Sequence, residues 1–163
     1  GKEKNKHNNK KLKSGRGAVG KVAVMGFKER NGRVSAKPII NTTAKTLHRE
    51  IGRVVQSGAV VYTDDHRGYQ GLLNYSHHAV KHSVGEYVRD MASTNGIESF
   101  WALLKRGFYG IYHQMSRAHL GRYVDEFCYR HNTANLSDES TFAMSFYNSN
   151  GRRLTYKGLI NVA

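Results

Sequence analysis

The chain has 163 residues, with 26 Lys plus Arg against 12 Asp plus Glu, a formal net charge of +14 and a pI near 10.0. That length, with 39% hydrophobic residues, suffices for one domain with a real core, and the charge favours a polyanionic partner through phosphate neutralisation and counterion release. A single cysteine, Cys128, excludes an internal disulfide framework or a multi-cysteine zinc site, and no run of about 18 apolar residues offers a membrane-spanning helix, so a soluble cytoplasmic protein is expected.

Residues 1–20 form a basic arm rich in Lys, Asn, Gly and Arg, with Glu3 as its one acid. It shows no apolar periodicity, and Lys10, Lys11, Lys13 and Arg16 are its candidate phosphate contacts. Lys21 to Lys28 reads as a buried strand, Glu29-Arg30-Asn31-Gly32 as a hairpin turn, and Arg33 to Ile40 as the returning strand, with Pro38 marking an edge or strand end. Thr43 to Val55 has Leu47, Ile51, Val54 and Val55 at helical spacing, with a threonine to cap it. Ala59 to Asp64 is a short apolar strand of the kind buried mid-sheet. Gly68 to Tyr75 is expected as a short helix and His77 to Ser83 as another strand. Asn95 to about Phe108 is a helix with an apolar stripe at Ile97, Trp101, Leu104 and Phe108. Arg117 to His131 is a further helix, packing through Leu120, Tyr123, Val124 and Phe127, with Cys128 as a small apolar neighbour. The last thirty residues show no clear architecture. This order predicts an α/β fold with a mixed sheet flanked by helices, in which one more strand is wanted before Lys21.

Two carboxylates stand out. Asp64 ends a predicted central strand, and Glu98 sits near the start of a helix with Lys105 seven residues on and Asn95 three before. Glu98 follows Ile97 by one residue, so it points about 100° away from the packed stripe. Lys105 lies two turns along on the face of Glu98, with Arg106 beside it, within reach of a DNA phosphate. Phosphodiester cleavage at neutral pH is served by two Mg²⁺ ions roughly 3.5–4 Å apart, held by carboxylates that converge from separate elements. Asp64 and Glu98 suit that role, and Asn95 is an acceptable uncharged ligand. The bland alternative is that Asp64-Asp65 opens a turn and that Glu98 answers the helix dipole. His77, His78 and His82 are read as strand or surface histidines rather than a metal cluster.

Val61-Tyr62-Thr63-Asp64 with Tyr69-Gln70-Gly71-Leu72, and then the run Thr94 to Gly107 containing Asn95-Gly96-Ile97-Glu98-Ser99-Phe100-Trp101, resembles the ISXO2-like transposases of the IS1595 family of insertion sequences. His113-Gln114-Met115-Ser116, Leu120 to Phe127 and Leu154-Thr155-Tyr156-Lys157 extend the likeness over nearly the whole chain. The resemblance implies a DDE-type transposase with a ribonuclease H-like core. Such an enzyme uses Mg²⁺ or Mn²⁺ to cut transposon ends and join them to target DNA, in a bacterial or archaeal nucleoid, with a homo-oligomer as its candidate assembly. Asp64 matches the second catalytic aspartate. The third position is Glu98, favoured for its charge, or Asn95. The family's first aspartate lies on a strand ahead of a stretch like the one that opens this chain. The expectation is therefore an N-terminally truncated fragment, lacking the sheet's first strand and inactive alone, with a core at 21–135 and a C-terminal extension at 136–163. Two rival readings are a non-catalytic basic DNA-binding module and a ribonuclease H-type nuclease.

Overall fold

The computed structural model describes residues 21–80 and 95–160. Its first unit is an antiparallel hairpin of β1 (Ala23–Lys28) and β2 (Val34–Ile39), paired from Ala23↔Ile39 to Lys28↔Val34. Asn31 takes a positive φ of 54° in the turn, as the Asn-Gly pair predicts. Helix α1 (Ala44–Val54) follows, then β3 (Val60–Asp64), a single 3₁₀ turn at Arg67–Tyr69, and β4 (Ser76–Val80), which pairs with β3 in parallel. Beyond it come α2 (Asn95–Gly107), prolonged by a π-helical turn at Phe108–Tyr112, α3 (Leu120–Thr133), α4 (Asp138–Ser149) and α5 (Tyr156–Ile160). The architecture is mixed α/β, and no helix among the described residues is long and apolar enough to cross a membrane.

Strand alternation makes the hairpin two-faced. Ala23, Met25, Phe27 and Ile39 join Leu47 and Ile51 of α1 in one apolar cluster with Leu72. Val24, Val34 and Ala36 join Phe100 of α2 and Val124, Phe127 and Cys128 of α3 in the other. The hairpin is therefore the middle layer between α1 and the α2–α3 pair. Gly26 permits the second contact, and Gly107 lets α3 approach α2. A Cβ at Gly26 would lie 2.6 Å from Trp101 Cζ2, and one at Gly107 would overlap the Phe127 ring.

The outer edge of β2 is closed by a side chain. Asn132 Oδ1 accepts the Val34 N–H and its Nδ2 donates to the Val34 carbonyl, each at 2.8 Å. Pro38 has the same parity as Val34, so the position that lacks an N–H faces the outer edge, where no ladder bond is lost.

Several expectations need correction. The sheet is two separate two-stranded sheets among the described residues, not one. β3 is only half-buried, with Val60 54% exposed, because its one hydrogen-bonded neighbour there is β4. On α1, Val54 is exposed and its place on the packed face goes to Glu50. That carboxylate, with its side chain 4% exposed, pairs with Lys37 of β2 and with Arg49 and Arg53 at 3.1 and 3.3 Å. Phe100, fully buried, belongs to the α2 stripe three residues after Ile97. The segment 68–75 makes only the 3₁₀ turn, β4 ends at Val80, and Lys81 to Ser83 lie outside the described residues. The C-terminal part, which shows no clear architecture as sequence, carries α4 and α5.

Two of these contacts have measurable consequences for stability. Asn132→Ala leaves a part-buried amide and carbonyl of Val34 unpaired, and should cost about 1–3 kcal/mol, read as a lower urea midpoint at unchanged m-value. Glu50 is held below its ordinary 4.5, first by Lys37, against the upward push of burial. Its folded pKa lies below the unfolded one, so its stabilisation is complete above the unfolded value and is lost as pH falls through the folded value. Glu50→Gln should flatten the acid limb of stability measured by urea melts from neutral pH downward.

Candidate active site

β3 delivers Asp64 to the end of a strand in register with Val80 of β4. The carboxylate is exposed, and its Oδ1 accepts the backbone N–H of His66 at 3.3 Å. His66 in turn caps the 3₁₀ turn, its Nδ1 accepting the Gly68 N–H at 3.0 Å. The turn reading of Asp64 and the site reading are thus compatible, since the side chain that bends the chain still faces solvent.

The neighbourhood of Asp64 is richer than the sequence indicated. Thr63 Oγ1 donates to the Asp64 carbonyl at 2.7 Å and lies 2.8 Å from His77 Nε2. A hydroxyl has one hydrogen, so with that hydrogen on the carbonyl, Nε2 of His77 is the donor to Thr63. Burial, and then the charges of His78 and His48, hold His77 below its ordinary 6.5. Burial, and then the Asp64 carboxylate, push the Tyr69 phenol above its ordinary 10.0, so it stays protonated at neutral pH within the field of Asp64. Tyr62 stacks on His78 at 5.5 Å, and the Arg30 guanidinium of the hairpin turn lies 5.9 Å from the centre of the Tyr62 ring. The signal for this cluster was the parallel register Val61↔His77 and Tyr62↔His78, which no single-strand pattern reveals.

The second carboxylate is carried by α2. Ile97 and Trp101 press against Gly26, and Gly96 lies against Lys28, where a Cβ would meet its Cγ at 3.2 Å. Fixing those residues on β1 turns Glu98 outward, where it is exposed in the first helical turn. Lys105 and Arg106 are exposed in the last turn. Asn95 is the first residue of α2. Lys10, Lys11, Lys13, Arg16 and His82 lie outside the described residues. Tyr112 is structural: its hydroxyl donates to Glu126 Oε2 at 2.7 Å and its ring packs edge-on against Tyr123. Burial raises the Cys128 thiol, in keeping with a packed, unreactive side chain.

Asp64 and Glu98 therefore belong to different units, the first to the β3–β4 sheet and the second to the helix over β1–β2. Among the described residues no three His, Cys, Asp or Glu side chains gather as a metal site would require. The donor chemistry suits a hard divalent cation, being carboxylate oxygen on exposed side chains, but the described residues do not complete a centre.

His77 offers a direct check on this neighbourhood. Its ring protons, followed by NMR, should titrate below 6.5, leaving it neutral at neutral pH. Because the unfolded state binds that proton more readily, stability should fall as pH drops from the unfolded pKa through the folded one. A titration at the ordinary value would contradict the burial described.

No curated protein and no solved structure matches the chain. A family profile for the ISXO2-like transposase domain matches residues 1–132, spanning β1 to α3 with both candidate carboxylates, and the chain belongs to that family.

Proposed function

We propose that this chain carries the catalytic core of a DDE-type transposase, a ribonuclease H-like domain that cuts insertion-sequence ends and transfers them to target DNA. The observation that carries the reading is the split sheet. β1 and β3 belong to separate ladders, yet one apolar cluster joins Met25 of β1, Leu47 and Ile51 of α1, and Leu72 of the β3–β4 connection. One further strand between them, antiparallel to β1 and parallel to β3, would fuse both pairs into a single mixed sheet. It would run beside Asp64 and bring a third carboxylate between the two units.

Asp64 and Glu98, with Asn95 as assistant or substitute, are the oxygen donors that would hold Mg²⁺ or Mn²⁺. When bound, the metal supplies an activated nucleophile and charge stabilisation at the leaving oxygen. The rest falls to the chain itself. Lys105 and Arg106, two turns along α2 from Glu98, neutralise backbone phosphates and fix the strand relative to the carboxylates. The basic arm at 1–20 adds sequence-independent grip, and the net charge of +14 draws DNA in by steering. In this reading residues 21–135 form the core and 136–163 an extension. The family match ending at residue 132 supports that boundary.

Two sets of variants separate metal binding from DNA binding. Asp64→Asn should weaken Mn²⁺ binding by about tenfold or more, since even residues behind metal ligands commonly cost that much, while DNA affinity stays within about twofold. Lys105→Ala with Arg106→Ala should do the reverse, lowering the slope of log affinity against log salt by about 2. A metal-insensitive Asp64→Asn would leave only a basic DNA-binding module. Cleavage of RNA–DNA hybrids without joining of DNA ends would favour a ribonuclease H-type nuclease.

A further inference from the structure

Among the described residues, side-chain hydrogen bonds from α3 hold the C-terminal helices. Tyr129 of α3 donates to the Thr141 carbonyl at 3.2 Å and meets Ser145 Oγ at 2.6 Å, which fixes the inward face of α4. Arg122 donates to the carbonyls of Leu159 and Gly158 at 2.7 and 3.2 Å and ties α5 to the same helix. At 100° per residue, the face of α4 opposite Thr141 and Ser145 carries Ala143, Phe146 and Tyr147, with Phe142 on its flank. The three aromatic residues are 73%, 70% and 79% exposed. Leu154 and Tyr156, just beyond the helix, are 72% and 77% exposed.

Aromatic side chains present roughly 200 Å² each, so the three on α4 leave about 450 Å² open. Leu154 and Tyr156, in the segment just beyond the helix, bring the exposed side-chain area to about 700–800 Å². That total is close to the ~800 Å² each partner contributes to a standard interface.

Charge selects the occupant. A second chain of net charge +14 is repelled from most of the surface, but α4 has Asp138 and Glu139 in its first turn and no basic residue along its length. Arg152 and Arg153 follow its C-terminal end and are exposed. A two-fold antiparallel pair of α4 helices would set Asp138 and Glu139 of each copy beside Arg152 and Arg153 of the other. The aromatic face would lie at the centre, a self-complementary arrangement of the kind two-fold symmetry requires. We infer that the outward face of α4 is a homodimer contact in which the acidic start of each helix meets the basic segment after the end of its partner's. This stands independently of the catalytic reading.

The test is sedimentation of the full chain over a wide concentration range. The wild type should dimerise. Phe142→Glu and Phe146→Glu should each give monomers with unchanged circular dichroism. Asp138→Lys with Glu139→Lys, and separately Arg152→Glu with Arg153→Glu, should each weaken the dimer by about tenfold or more, because like charges then face each other twice. Mixing those two charge-reversed chains should restore a heterodimer, since both contacts regain opposite signs. A wild type that stays monomeric throughout, a dimer indifferent to Phe142 and Phe146, or a mixture that fails to pair would overturn the inference and leave the face to a different partner.

Discussion

The two-sidedness of the β1–β2 hairpin is the constraint on which the rest depends. Alternate residues of six-residue strands must satisfy α1 on one face and the α2–α3 pair on the other, so neither face tolerates a slip of one residue. Three contacts fix the arrangement. Lys37 reaches the buried Glu50 of α1, Gly26 admits Trp101 of α2, and Asn132 of α3 closes the free edge at Val34. Each is a specific interaction laid over apolar packing, and together they orient α1, α2 and α3 against the hairpin.

That orientation explains the distribution of charge at the site. Seating Ile97 and Trp101 on β1 leaves Glu98 and Lys105 exposed on α2. The β3–β4 pair presents Asp64 at a strand end, set among groups that are neutral at working pH, a half-buried His77 and a protonated Tyr69. That carboxylate is exposed and accepts the His66 N–H, with no salt bridge among the described residues. Glu50 shows the contrast, being buried and already engaged with three basic side chains. The two acidic groups serve different ends, one holding the fold together and the other left open at its surface.

Much of this was readable from the chain. The Asn-Gly hairpin, the order of strands and helices, and the α2 and α3 stripes all follow from short-range period and turn chemistry. The family resemblance rested mostly on segments that the profile match covers, with Leu154 to Lys157 lying beyond its end at residue 132. What escaped reading depends on partners distant in sequence. Val54 has the right spacing for the α1 core, but Lys37 on β2 draws the packed face toward Glu50. The apolar run of β3 suggested a buried central strand, whereas burial needs neighbours on both sides. His77 beside Thr63 follows from a parallel register that periodicity cannot supply. Asn132 gave no sign that it would act as a strand partner, and α4 hid because its apolar residues face away from the core.

Asp64 and Glu98, on separate units, are the residues proposed to serve one metal site. The most direct measurement is paramagnetic broadening of backbone amide signals in the ¹⁵N-labelled full chain as Mn²⁺ is added. A shared site predicts that Thr63 to Asp65 and Gly96 to Ser99 broaden together at the same Mn²⁺ concentration, and that Asp64→Asn abolishes both effects. Broadening confined to one of the two segments, or centred instead on Asp138 and Glu139, would contradict it.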